Sequence, residues 1–151
     1  MHDNSGGMYE YFTILIFKNR QEGIMKLIIG GYAQGKLQYT LKKYHLIETA
    51  VWDGVLPEHA PGQEKTVVIN HFHNWMKNGM LHGSCPEEEI LAFLGDCEDC
   101  VIISDEVGNG IVPIDAFERE YRERVGRILI QLAERAEEVE RVICGIGQKI
   151  K

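Results

Sequence analysis

Gly30-Gly31-Tyr32-Ala33-Gln34-Gly35-Lys36 stands directly behind the apolar run Leu27-Ile28-Ile29 and has the spacing G-x-x-x-x-G-K. In that spacing the glycines let backbone N–H groups converge on phosphate oxygens, and the lysine reaches the outer phosphates. The helix that follows adds its positive N-terminal end. The chemistry to expect is binding of a nucleoside triphosphate, ATP or GTP. The full motif continues with Ser or Thr, whose hydroxyl holds Mg²⁺, and here that position is Leu37. A Mg²⁺ ion is therefore expected to be weakly held. An ordinary glycine turn feeding a helix gives the same local spacing, so the loop is read together with its surroundings.

A second signal is Val101-Ile102-Ile103-Ser104-Asp105-Glu106, an apolar run ending in two carboxylates. Phosphate-loop enzymes place an acid beside the phosphates in this way, to orient the attacking group or to bind metal. Glu106 is the first candidate for base or metal acid, with Asp105 its alternate. A solvated loop entry gives the same pattern. Val67-Val68-Ile69 is a further apolar run and ends in Asn70-His71-Phe72-His73. Asn70 can hydrogen-bond nucleotide or metal-bound water as a neutral group. His71 and His73 offer a histidine acceptor for a transferred phosphoryl or nucleotidyl group, against the plainer reading of caps at a helix start. Cys97-Glu98-Asp99-Cys100 could complete a four-ligand zinc site with the two histidines, but buried thiols explain it better and no metal site is assigned.

These residues need a scaffold of alternating strands and helices. Leu37 to Tyr44 continues as a helix with Lys42 and Lys43 in its last turn. Residues 45–65 carry Asp53-Gly54, Pro57 and Pro61-Gly62, which favours loop. Trp75, Met76 and Met80 suggest a helix closed by Gly79 or Gly83. Glu87, Glu88 and Glu89 follow Pro86 where a helix start welcomes anions, with Ile90, Leu91, Phe93 and Leu94 as its apolar face. Asp115 caps a long helix with Glu118 as capping-box partner. Its stripe is Phe117, Tyr121, Val125, Ile128, Leu129, Leu132, Ala136 and Val139. Glu118 with Arg122, Glu120 with Arg124 and Glu123 with Arg127 have i,i+4 spacing. Val142-Ile143-Cys144 is the last strand, before Gly145-Ile146-Gly147 and a basic end. The pattern predicts an α/β fold with a mainly parallel sheet flanked by helices.

The 151 residues, 44% of them hydrophobic, fit one globular domain. A net charge of −7 argues against a nonspecific nucleic-acid partner. The four cysteines make no disulfide framework in a chain of this type. Tyr11 to Phe17 is too short to span a bilayer and lacks signal-peptide flanks, so a cytoplasmic protein is expected. Residues 1–24 differ in composition from the rest of the chain. They read as an N-terminal extension, either translated leader ahead of an initiator at Met25 or a short added edge strand at Tyr11 to Phe17, with 25–151 as the nucleotide-binding domain.

Glu106-Val107-Gly108-Asn109-Gly110-Ile111-Val112-Pro113, Tyr121-Arg122, Gly126, Leu132-Ala133 and the terminal Gly145-Ile146-Gly147-Gln148-Lys149-Ile150-Lys151 resemble the adenosylcobinamide kinase/adenosylcobinamide-phosphate guanylyltransferase family of cobalamin synthesis. The resemblance is continuous from about Ser104 onward and patchy between Met25 and Met80. It implies a RecA-like P-loop nucleotide-binding fold. It also implies an enzyme that phosphorylates the aminopropanol arm of a corrinoid and then transfers GMP to it through a covalent histidine. The family carries that histidine between its first helix and second core strand, a segment shortened here to residues 45–65. Neither His45 nor His59 aligns with it. Asn70 replaces a nucleotide-site acid, and Leu129-Ile130 replace an Asn-Gln pair. The expectation is an adenosylcobinamide kinase without guanylyl transfer, with a noncatalytic nucleotide-binding partner protein as the alternative. Homo-oligomerisation is left open.

Overall fold

The computed structural model describes residues 23–61 and 65–151. The expectations for Tyr11 to Phe17 and for a leader lie outside the described residues. The described residues build one six-stranded sheet in the order β2-β3-β4-β1-β5-β6. Its strands are β1 (Ile24–Gly30), β2 (Val51–Asp53), β3 (Val67–Asn70), β4 (Asp99–Asp105), β5 (Glu138–Ile143) and β6 (Ile146–Lys149). All neighbours run parallel except β5 and β6, which form an antiparallel hairpin. The helices are α1 (Lys36–Lys43), α2 (Phe72–Leu81), α3 (Pro86–Asp96) and α4 (Ala116–Arg135). The α/β, mainly parallel architecture is the one the sequence pattern predicts.

Alternation along the strands divides the core into two layers. Leu27, Ile69, Ile102 and Val139 face α2, α3 and α4, where Phe72, Met76, Ile90, Val125, Ile128 and Leu132 are buried. Ile28, Val68, Val101, Ile103 and Val142 face the other way, toward Leu37, Tyr39 and Tyr44 on and behind α1. Both faces of the central strands are therefore covered, which is why these runs are apolar at every position rather than at alternate ones.

Several local expectations are corrected. The segment 45–65 is not loop throughout: a 3₁₀ turn at Glu48–Ala50 leads into β2, which pairs with β3 in the register Asp53 to Asn70. Three residues at a sheet edge give too short an apolar signal to read against the surrounding breakers. α4 ends at Arg135, so Ala136 is its C-cap and Val139 lies in β5, where strand alternation happens to continue the helical spacing. The last parallel strand starts at Glu138 rather than Val142, because Glu138 and Glu140 take polar partners on α1. Cys144 and Gly145 both have positive φ, 50° and 74°, and form the two-residue turn into β6. That geometry suits the twist of a tight hairpin. Gly79 lies inside α2, and Gly83, at φ 73°, follows its C-cap.

Asp115 does cap α4, accepting from the Glu118 N–H at 3.0 Å. The Glu118 carboxylate goes to Lys77 at 2.5 Å, and Arg122 donates to the Ile111 carbonyl, so the expected Glu118 to Arg122 pair is not made. Glu120 with Arg124 and Glu123 with Arg127 are paired.

Candidate functional site

The carboxyl ends of β1, β3 and β4 meet at one edge of the sheet, the position where open parallel sheets bind ligands. Gly30 ends β1, and residues 31–35 turn back into α1. Gly35 has φ 82° and caps the helix; an L side chain is disfavoured there. At Gly30 a Cβ would meet the Val142 carbonyl at 2.5 Å, so only glycine lets the loop lie against β5. Gln34 fastens the loop to the β5–β6 turn. Its carbonyl accepts from Gly145 N–H at 2.8 Å, and its side-chain Oε1 accepts from Cys144 N–H at 2.8 Å. Tyr32 and Ala33 are exposed on the outer rim.

Lys36 is buried, and its ammonium donates to the Gly31 carbonyl at 2.6 Å. It also meets Asp105 Oδ1 at 2.6 Å. The β1–β4 register sets this pairing by placing Asp105 directly beside Gly30. Glu106 turns away and accepts a fork from Arg141, Nε at 2.8 Å and a terminal nitrogen at 2.9 Å. The two carboxylates thus have different tasks: Asp105, the alternate in the sequence reading, is the one beside the loop lysine. Leu37 packs on the Ile28 and Ile103 layer, so at the place of the metal-binding hydroxyl it supplies core hydrocarbon.

His73 is buried beneath Asp105. The Asp105 N–H donates to His73 Nδ1 at 3.1 Å, which leaves Nε2 to carry the proton, 3.4 Å from Asp105 Oδ2. Burial pushes its pKa below the usual histidine value, against the pull of Asp105, with His71 and Lys36 adding to the depression. The ring is therefore neutral at pH 7. Tyr121 on α4 donates to the His73 carbonyl at 3.0 Å, and burial raises its own pKa to about 12.

Asn70 ends β3, with His71 as the N-cap of α2 at φ 50°. Asp53 Oδ1 accepts from Asn70 Nδ2 at 2.8 Å and from His71 Nδ1 at 2.6 Å. The two histidine rings meet edge to face, 5.7 Å apart. Asp53 and Arg141 are the residues sequence reasoning missed. Asp53 was visible only as part of a turn dipeptide, and Arg141 only as one charge in a segment with no strand assigned to it.

Cys97 and Cys100 are buried at the opposite end of the sheet, with contact between the thiols and burial holding Cys100 well above its usual pKa. Five strand steps from Cys100 to Asp105 separate them from His73 by about 17 Å, too far for one zinc ion. Among the described residues, no three His, Cys, Asp or Glu side chains converge to hold a metal ion. The donors at the glycine loop do not make a Mg²⁺ site by themselves, since Leu37 offers no oxygen and both carboxylates are paired with cations. His45 and His59 are exposed on the connections flanking β2. No helix of the described residues is long and apolar enough to cross a membrane.

Comparison with known proteins matches residues 38–150 to the family model described as cobinamide kinase / cobinamide phosphate guanyltransferase. A bifunctional adenosylcobalamin biosynthesis protein of Salmonella typhimurium is 41% identical over 69 residues, 43% of this chain and 38% of that protein. Its Escherichia coli counterpart is 43% identical over 67 residues, 42% of this chain and 37% of that protein. The similarity thus spans well under half the length of these relatives.

Proposed function

The chain belongs to the cobinamide kinase / cobinamide phosphate guanyltransferase family, and from that premise we propose that it binds a purine nucleoside triphosphate at Gly30 to Lys36 and phosphorylates a corrinoid hydroxyl. The observation that carries this reading is the buried Lys36 ammonium at the mouth of a glycine loop, opposite a carboxylate. Phosphoryl transfer is mainly positioning and charge stabilisation, and these are the parts it needs. The loop N–H groups would cradle the β- and γ-phosphates, and Lys36 would neutralise them. The acceptor oxygen would form its bond to the γ-phosphorus as the bond to the bridging oxygen breaks. Its proton would go to Asp105, whose carboxylate is freed once Lys36 turns to phosphate. Glu106, held by Arg141, would line the acceptor side. Mg²⁺ would arrive with the triphosphate and be weakly held.

Guanylyl transfer is not part of the proposal, because neither His45 nor His59 in the shortened segment 45–65 aligns with the family's histidine. A noncatalytic nucleotide-binding role is favoured by one set of observations: Leu37 in the core and Asn70 satisfied by Asp53. Titration of ATP and GTP with and without Mg²⁺ tests the binding step. Lys36→Ala should cost about 1.5 to 3 kcal/mol, roughly tenfold or more in affinity. Equal affinity in both proteins would refute the site. Label from γ-labelled triphosphate appearing in cobinamide supports the kinase; binding without any transfer at high Mg²⁺ supports the noncatalytic reading. Label from GTP held covalently on the protein would refute the loss of guanylyl transfer.

A further inference from the structure

We propose that Asp105 is an internal competitor of phosphate for Lys36, and that His73 is the positioning residue that holds it in that place. The proposal rests on the glycine loop being the phosphate site.

Three observations join to make it. First, Lys36 is not waiting in solvent: its ammonium is buried and already satisfied by Asp105 and the Gly31 carbonyl, both at 2.6 Å. An arriving phosphate must therefore exchange with these partners rather than fill a vacant position. Second, Asp105 is not free to follow. His73 ties it through its backbone N–H, which donates to Nδ1 at 3.1 Å, while Oδ2 lies 3.4 Å from Nε2 without a hydrogen bond. His73 is itself fixed, because it lies in the first turn of α2 and its backbone carbonyl accepts from Tyr121 on α4. Third, Leu37 lacks the hydroxyl that would help hold a divalent cation between phosphate and carboxylate. Without such a cation, the two anions face each other across a single ammonium, in a partly buried place where repulsion is weakly screened.

The groups around His73 are Asp105 on β4, Lys36 on α1, His71 on its own helix and Tyr121 on α4. Asp105 is the one among them hydrogen-bonded to the ring, through its backbone N–H on Nδ1. Removing the imidazole should therefore release the carboxylate rather than disturb the loop directly.

The test measures inorganic pyrophosphate binding by calorimetry in EDTA, with the full chain. Asp105→Asn keeps the shape and removes the competing charge, so affinity should rise about fivefold or more. His73→Ala should raise it less, and His73→Gln, whose amide oxygen restores an acceptor for the Asp105 N–H, should return it toward the unsubstituted protein. In the double variant Asp105→Asn/His73→Ala, loss of the histidine should no longer change affinity, a result that a merely structural histidine would not give. Asp105→Asn binding equal to or weaker than the unsubstituted protein would overturn the proposal. So would a His73→Ala effect that persists in the Asp105→Asn background. Lys36→Ala separates the two readings: if it leaves pyrophosphate binding unchanged, the loop itself is not the site. If Asp105→Asn fails to fold, Asp105→Ser carries the same prediction, and the thermal midpoint of each variant is recorded beside its affinity.

Discussion

Replacing Lys43 by Met should destabilise the protein at neutral pH and leave it nearly unaffected in strong acid. Lys43 ends α1 and its ammonium lies between two carboxylates of β5, Glu138 and Glu140, the latter at 2.5 Å. Tyr44 donates to Glu138 at 2.7 Å and Tyr39 to Glu140 at 2.9 Å. The pairing with Lys43, then the Tyr44 bond, pushes the Glu138 pKa down from the usual 4.5 to about 2. Taken whole, that shift corresponds to about 3 kcal/mol, shared among Lys43, Tyr44 and Lys149. Because the Glu138 side chain is 20% exposed, solvent screening reduces Lys43's share to about 1 kcal/mol. Glu140, only 6% exposed, is left with a single neutral donor, and an incompletely paired buried carboxylate adds about 2 kcal/mol. The expected loss for Lys43→Met is about 3 kcal/mol at pH 7 by urea denaturation. The sign with pH follows from the depressed pKa: the Glu138 contribution is fully present above pH 4.5 and is lost as pH falls through about 2. The gap between the two proteins should therefore narrow from pH 5 to pH 3. A gap that stays constant over that range, or a loss below about 0.5 kcal/mol at pH 7, would refute the argument.

Leu37→Ser exchanges core packing for a metal-ligating hydroxyl. It should cost about 1 to 2 kcal/mol in urea denaturation while lowering the Mg²⁺ concentration needed for nucleotide binding, and an unchanged Mg²⁺ dependence would count against the proposed place of the ion. Gln34→Ala removes the acceptor from Cys144 N–H and should cost about 1 kcal/mol of stability along with a measurable loss of nucleotide affinity. Unaltered affinity would mean that the Gly145 to Gln34 backbone bond alone keeps the loop in shape.

The fold was legible wherever one element buries a long stripe or a continuous apolar run. β1, β3, β4 and the body of α4 all have that property, and their order around the glycine loop implied the parallel sheet. What was hidden are the elements whose partners are distant in sequence and polar. β5 begins at Glu138 and Glu140, charges that read as solvent-facing until α1 is packed over them and Lys43 supplies their counterion. β2 is three residues long, and it is defined by its pairing with β3 rather than by any pattern of its own. The helical stripe of α4 ran on into Ala136 and Val139 because a step of three or four residues does not reveal that the backbone has changed from helix to strand.

The site was legible as a set of residues but not as a set of pairs, and the assignment of its two acids shows why. Glu106 and Asp105 are adjacent, so composition and spacing treat them alike. A strand does not, because successive side chains point to opposite faces. Val101 and Ile103 lie in the layer covered by α1, and Asp105 shares their parity. Lys36 begins α1, so the carboxylate of that parity is the one delivered to the lysine. Glu106 shares the parity of Ile102, which faces the other layer; Arg141 shares the parity of Val139, which also faces it. Those two are accordingly the pair that meet. Once the face covered by α1 is known, the assignment of Asp105 to Lys36 and Glu106 to Arg141 follows from counting residues along β4 and β5. Without it, the order of preference between the two acids had no physical basis.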